Sequence, residues 1–155
     1  MNTDTFFELY PNKGAGLIRF GMSPDDVKKI LGECDSIKID KIKRLTEFRS
    51  FMNLSYTSLP MQGVNHIGFG RQMNNVIFDG INVFASEPNT VIMKLMEYDD
   101  SPYLSLGMVF FMKLKISLTG FHDDFLDQKS IVLFSHDDYE PYIPEMEKFI
   151  DATKL

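Results

Sequence analysis

The chain has 155 residues, 44% of them apolar, with 14 Phe and 10 Met and a formal net charge of −6. That size and composition exclude wholesale disorder and describe one domain, residues 1–155, with a core of its own. The single cysteine, Cys34, excludes an intramolecular disulfide framework. No stretch is long and apolar enough for a bilayer, and the start, with Asp4 and Glu8, lacks the pattern of an export signal, so a cytoplasmic protein is expected.

An edge strand is expected at Phe6 to Leu9, then a flexible turn at Gly14-Ala15-Gly16 and a short strand at Leu17 to Phe20. The next segment, Ser23 to Gly32, carries both helix signals. Ser23 suits the N-cap, Pro24 the first helical position, and Asp25 and Asp26 the positive end of the helix dipole. Val27, Ile30 and Leu31 form one apolar stripe, and Gly32 supplies the stop. From Cys34 to Met52 the apolar residues fit two periods, and strand is favoured for Leu45 to Tyr56.

Short strands follow at His66 to Phe69 and Asn75 to Phe78. Asp79-Gly80 is a hairpin turn leading into Ile81 to Phe84. A second helix from Pro88 to Tyr98 should bury Val91, Ile92, Leu95 and Met96. Leu114, Ile116 and Leu118 alternate with Lys113, Lys115, Ser117 and Thr119, the pattern of an antiparallel strand with one wet face. Met108 to Phe111 and Ile131 to Phe134 read as its inner neighbours. A last helix is expected near Pro144, with Met146, Phe149 and Ile150 on one face. Too few helices separate the strands for a parallel sheet, so the expected class is α+β: a mainly antiparallel sheet with two or three short helices.

The charge is unevenly spread. Lys28 to Arg49 holds seven basic and four acidic residues, whereas Phe121 to Asp151 holds nine acidic and two basic. The acidic end would repel a phosphate backbone and steer a basic protein. The basic stretch Lys38 to Arg49 is interrupted by Asp40 and Glu47 and reads as an amphipathic element with a wet basic face, so no nucleic acid is expected as a partner.

Motifs for chemistry are sparse. His122-Asp123-Asp124 and His136-Asp137-Asp138 invite a metal site or acid–base pair. In a hairpin of Ile116 to Phe121 with Ser130 to Ser135, however, they fall at opposite ends, about 16–20 Å apart. Each is better read as an acidic turn. Cys34 follows a helix C-terminus, where a thiolate is disfavoured. Gly14, Gly16 and Gly21 miss the dinucleotide fingerprint because position 19 is Arg19, and no phosphate-binding loop or serine-hydrolase elbow is present. No metal or cofactor is called for. Tyr98, Tyr103, Phe121, Phe125, Tyr139 and Tyr142 lie in or beside acidic turns, where aromatic anchors suit a protein interface.

Gly-Met-Ser-Pro-Asp-Asp-Val-Lys-Lys-Ile-Leu-Gly, residues 21–32, resembles the helix motif of the β-lactamase inhibitor protein and the small outer-membrane assembly lipoproteins. A looser copy repeats Phe20, Pro24, Val27 and Leu31 at Phe84, Pro88, Val91 and Leu95, each 64 residues on. The resemblance implies tandem helix-plus-sheet units, about 14–80 and 81–155, presenting a protein-binding face. Bacterial immunity proteins often begin with a similar glycine-bounded segment. The expected function is that of a non-enzymatic bacterial inhibitor of immunity type, engaging a basic protein through residues 121–128 and 135–142. Phe125 and Tyr139 would anchor the contact, with Asp123, Asp124, Asp137 and Asp138 as steering charges. Two other readings stay open: an enzyme using His122 or His136 with the neighbouring aspartates, and a homodimeric structural module.

Overall fold

The first strands are short because glycines and turns interrupt them. The computed structural model describes residues 6–123, 125–135 and 139–149. In it β1 (Phe7–Tyr10), β2 (Gly14–Ala15) and β3 (Ile18–Arg19) form an antiparallel ribbon. Gly14 is strand rather than turn. Its φ is +149°, and a Cβ there would collide with the Ile18 carbonyl, so the tight return requires glycine.

The helix α1 (Pro24–Leu31) then starts as its signals dictate. Ser23 Oγ accepts from Asp26 N, and Asp26 Oδ2 accepts from Ser23 N, both at 3.2 Å, which closes a capping box. Only Val27 is fully buried; Ile30 is exposed, so the expected three-residue stripe narrows to Val27 and the half-buried Leu31.

A four-strand meander follows: β4 (Ser36–Ile39), β5 (Leu45–Arg49), β6 (Met52–Tyr56) and β7 (Val64–Gly70). The chain then repeats this order. β8 (Val76–Phe78) and β9 (Ile81–Asn82) make a hairpin whose turn residues Asp79 and Gly80 have φ of 45° and 83°, the two positive values of a type I′ turn. Next come α2 (Pro88–Met96) and the meander β10 (Tyr103–Ser105), β11 (Met108–Phe111), β12 (Ile116–Thr119) and β13 (Ser130–Phe134).

The meanders join through their last strands. β7 and β13 pair antiparallel from Gly70↔Ser130 to His66↔Phe134, giving a nine-stranded sheet once β14 (Glu147–Lys148) adds to β10. The ribbon and the β8–β9 hairpin join as β1 runs parallel to β8, so β1 lies in the middle of a five-stranded sheet instead of at the expected edge. The class is α+β and mainly antiparallel, as expected.

One continuous core fills the space between the large sheet, both helices and the small sheet, with Phe7, Ile18, Val27, Leu54, Ile67, Val91, Leu118 and Ile131 among its members. Phe7 of the small sheet meets Phe69 of the large one at 5.3 Å between ring centres. A second cluster of Phe110, Met112 and Phe134 lies apart from it, packed against Tyr103, Tyr139, Ile143 and Met146. Phe110 and Phe134 alternate with core residues on their strands and so point to the opposite face. On that same face of β12, Ser117 is buried, which corrects the expected wet face; Leu114 sits in the preceding turn rather than in the strand.

Residues 140–149 do not form the expected final helix. Pro141 and Pro144 suit a tighter 3₁₀ segment, Glu140–Glu145, and the chain then extends into β14. Ile150 lies outside the described residues. No described helix is long and apolar enough to cross a membrane.

Candidate protein-binding surface

The acidic third begins at the β12–β13 connection. Gly120, at φ 80°, lets the loop fold back so closely that a Cβ would lie 2.5 Å from Phe125 O. Phe121 then turns inward. It is buried against Phe84 at 6.0 Å, with Lys129 Nζ 5.0 Å over its ring, so this aromatic closes the core. His122 keeps its ring edge to Phe149 and its Nε2 3.9 Å from Asp123 Oδ2, while its buried Nδ1 has no hydrogen-bond partner among the described residues. Asp123 is exposed and Phe125 is 60% exposed. Asp124 lies outside the described residues, as do His136, Asp137 and Asp138.

Beyond them Tyr139 is half-buried. Its ring stands edge-on to Phe134 at 4.7 Å and tilted to Phe110 at 5.0 Å, with His66 at 6.2 Å. Tyr139 therefore fixes the chain to the sheet and leaves only part of its surface exposed. β13 separates Phe125 from Tyr139, a span of about 16 Å. The two expected anchors do not meet.

The 3₁₀ segment links the two loops. Glu140, Tyr142 and Glu145 face outward along it, with Tyr142 56% exposed, while Ile143 and Met146 pack against the second cluster. It ends beside the first loop, where Leu106, Gly107, His122, Glu145 and Glu147 line a cleft of about 370 Å³. Leu106, at the β10–β11 turn, is 92% exposed. Sequence reasoning missed this link because it read residues near Pro144 as helix. The two prolines three apart were the available signal.

On the other side of Tyr139, toward β7 and β6, the charge is basic. Arg44 Nη2 approaches Asn65 Oδ1 at 3.5 Å and His66 Nδ1 at 3.4 Å, beside a cleft of about 470 Å³ that Thr57, Ser58 and Tyr139 also line. A guanidinium only donates, so His66 Nδ1 accepts there. Arg49 departs from the expected wet basic face: it is buried with Glu47, whose Oε1 accepts from its Nε at 3.1 Å and its Nη2 at 3.0 Å. Next to them the Tyr56 hydroxyl is buried without a hydrogen-bond partner among the described residues. Burial first, and then the Glu47 carboxylate, raise its pKa. Cys34 is a half-buried free thiol.

Among the described residues no group of three or more His, Cys, Asp or Glu side chains is placed to hold a metal ion. Comparison with known proteins gives no match to a family model, a curated protein or a solved structure.

Proposed function

We propose that this chain is a non-enzymatic, cytoplasmic bacterial protein that binds a basic protein partner, as an immunity-type inhibitor does. The observation that carries this reading is the outward face of Glu140–Glu145. Tyr142, Glu140 and Glu145 are displayed there while Tyr139, Ile143 and Met146 hold the segment to the sheet. A pinned segment offers an aromatic anchor at little entropic cost. Exposed Asp123, Glu145 and Glu147 around the 92% exposed Leu106 add acidic steering beside an apolar contact, and Phe125 extends it. Asp124, Asp137 and Asp138 belong to the same acidic stretch in sequence.

The scaffold, in this reading, is a tandem repeat like that of the β-lactamase inhibitor protein group. Hairpin, helix and four-strand meander occur twice in the same order, with Pro24 and Pro88 opening the helices and Val27 and Val91 buried beneath them. Gly68 pairs with Val132, and 64 residues also separate the two helix motifs. A residue paired with its own repeat equivalent is the mark of a local two-fold relation.

The test is capture from host lysate with the intact protein and with a variant carrying Asp123→Asn, Glu140→Gln, Glu145→Gln and Glu147→Gln. A basic protein held at low salt, released at high salt and bound more slowly by the folded variant supports the reading. Equal association rates for both proteins would remove it.

A further inference from the structure

The two ends of the nine-stranded sheet are finished differently. β10 carries β14 on its outer side, antiparallel at Tyr103↔Lys148 and Leu104↔Glu147. β4 holds the corresponding place at the far end, pairs with β5, and carries no described strand on its other side. The ladder decides which backbone groups are open. Asp40 N donates to Arg44 O at 3.1 Å, so Asp40 faces β5, and by the period of two Lys38 does so as well. Ile37 and Ile39 then turn their N–H and C=O groups away from the sheet.

The side chains of this edge are equally open. Every residue of β4 is exposed, Ile37 and Ile39 at 58% and 59%, with Ile42 of the next turn at 63%. A free edge with apolar side chains is a pairing template unless something blunts it. The surrounding charges are Lys38, Lys41 and Lys43, while the Arg44 guanidinium is turned across the sheet to Asn65 and His66 of β7. The acidic residues within the same stretch are already engaged. Asp40 Oδ1 accepts from Ile42 N at 3.0 Å and Arg44 N at 2.9 Å, and Glu47, opposite Ile37, is paired with Arg49.

We propose that the outer edge of β4 is a strand-addition site for an extended segment of a partner protein in which apolar residues alternate with Asp or Glu. The added strand runs beside Ile37 and Ile39, whose backbone groups supply its hydrogen bonds. Its apolar side chains continue the Ile37–Ile39 row on one face. Its carboxylates lie by Lys38 on the other. The molecule contains a precedent, since β14 follows the Glu-rich 3₁₀ segment and adds to the opposite end of the same sheet. A second copy is a poor occupant: antiparallel self-pairing of β4 would bring the Lys38, Lys41 and Lys43 groups of two chains together. This site stands at the opposite end of the sheet from the acidic surface and does not depend on it.

The test uses the intact protein and two fluorescein-labelled peptides, one of alternating Val and Glu and one of alternating Val and Lys, read by fluorescence anisotropy. The Val-Glu peptide should bind, more weakly as salt rises, and the Val-Lys peptide should not. Ile39→Pro removes an outward N–H and no bond to β5, and should weaken binding by about tenfold or more. Lys38→Glu, at an exposed position, should reverse the preference between peptides and serves if the proline variant does not fold. No binding of the Val-Glu peptide, equal binding of both, or full affinity in a folded Ile39→Pro protein would overturn the proposal. So would light scattering that shows self-association abolished by Ile39→Pro, which would give the edge to a second copy.

Discussion

Glu47 and Arg49 show how one residue's placement overrides its type. They stand two apart on β5 and so share the buried face, where each is 5% exposed. Arg49 also donates from Nη1 to Gly32 O at 2.7 Å, a carbonyl just past the end of α1. Removing one partner strands a charge in the interior, so Arg49→Ala should cost about 3–5 kcal/mol, measurable by urea unfolding. The double variant Arg49→Met with Glu47→Leu should recover most of that loss; an equal loss in both would mean the pair is not what the site requires. A surface example behaves differently. Tyr98 donates to Asp79 Oδ2 at 2.6 Å and Lys94 lies 3.2 Å away, and these hold the Asp79 carboxyl below its usual range, the tyrosine bond first. A depressed carboxyl stabilises the fold above the unfolded pKa, about 3.9, and that contribution disappears as pH falls through the lower folded value. In Tyr98→Phe the Asp79 titration, followed by NMR, should move up toward the ordinary value, and the stability difference from the parent should vanish in acid. Neither cluster was legible in the sequence. A Glu and an Arg inside a basic stretch read as solvated until the sheet shows which face is covered, and Asp79 meets Tyr98 only because α2 returns over the β8–β9 hairpin.

At the scale of elements, local chemistry predicted best where the signal lay within one turn of chain. Ser23-Pro24-Asp25-Asp26 fixed the start of α1, and Asp79-Gly80 fixed a hairpin, because caps and type I′ turns depend on neighbours. The misses needed distant partners. Gly14–Ala15 became strand because the ribbon folds back on it, and Glu147–Lys148 became strand because the outer edge of β10 was there to receive it. The same limit divides the candidate surface: Phe125 is exposed as its acidic loop implies, whereas Tyr139 is drawn onto Phe110 and Phe134. The two helices offer a matched test of capping. Ser23 accepts from the backbone of its helix, but Glu87 at the start of α2 makes no such bond. Ser23→Ala should therefore destabilise by about 1 kcal/mol, and Glu87→Ser should stabilise by about 0.5–1 kcal/mol. Thermal melts of both variants check this, and a neutral Ser23→Ala would mean that Pro24 and Asp25 suffice to start the helix.

Across the whole molecule, the N-terminal half, β1 to β7, and the C-terminal half, β8 to β14, are interlocked through both sheets. β7 pairs with β13 through five registered residues, and β1 of the first half lies between β2 and β8, so each sheet is completed by the other half. The core runs without a break from Phe7 and Val27 through Ile67 to Leu118 and Val91. Separating the halves would expose the facing edges of β7 and β13 together with part of that core, and the apolar area lost makes a half-folded state costly. A single cooperative transition is therefore expected, with far-ultraviolet and near-ultraviolet circular dichroism changing together in urea. Leu54→Ala on β6 and Leu118→Ala on β12 remove fully buried side chains from different halves. Each should cost about 2–5 kcal/mol and move the same transition without splitting it. A transition that divides in one variant, leaving the other half's signal at its original midpoint, would show that the halves fold separately and that the β7–β13 junction is a contact rather than a shared core.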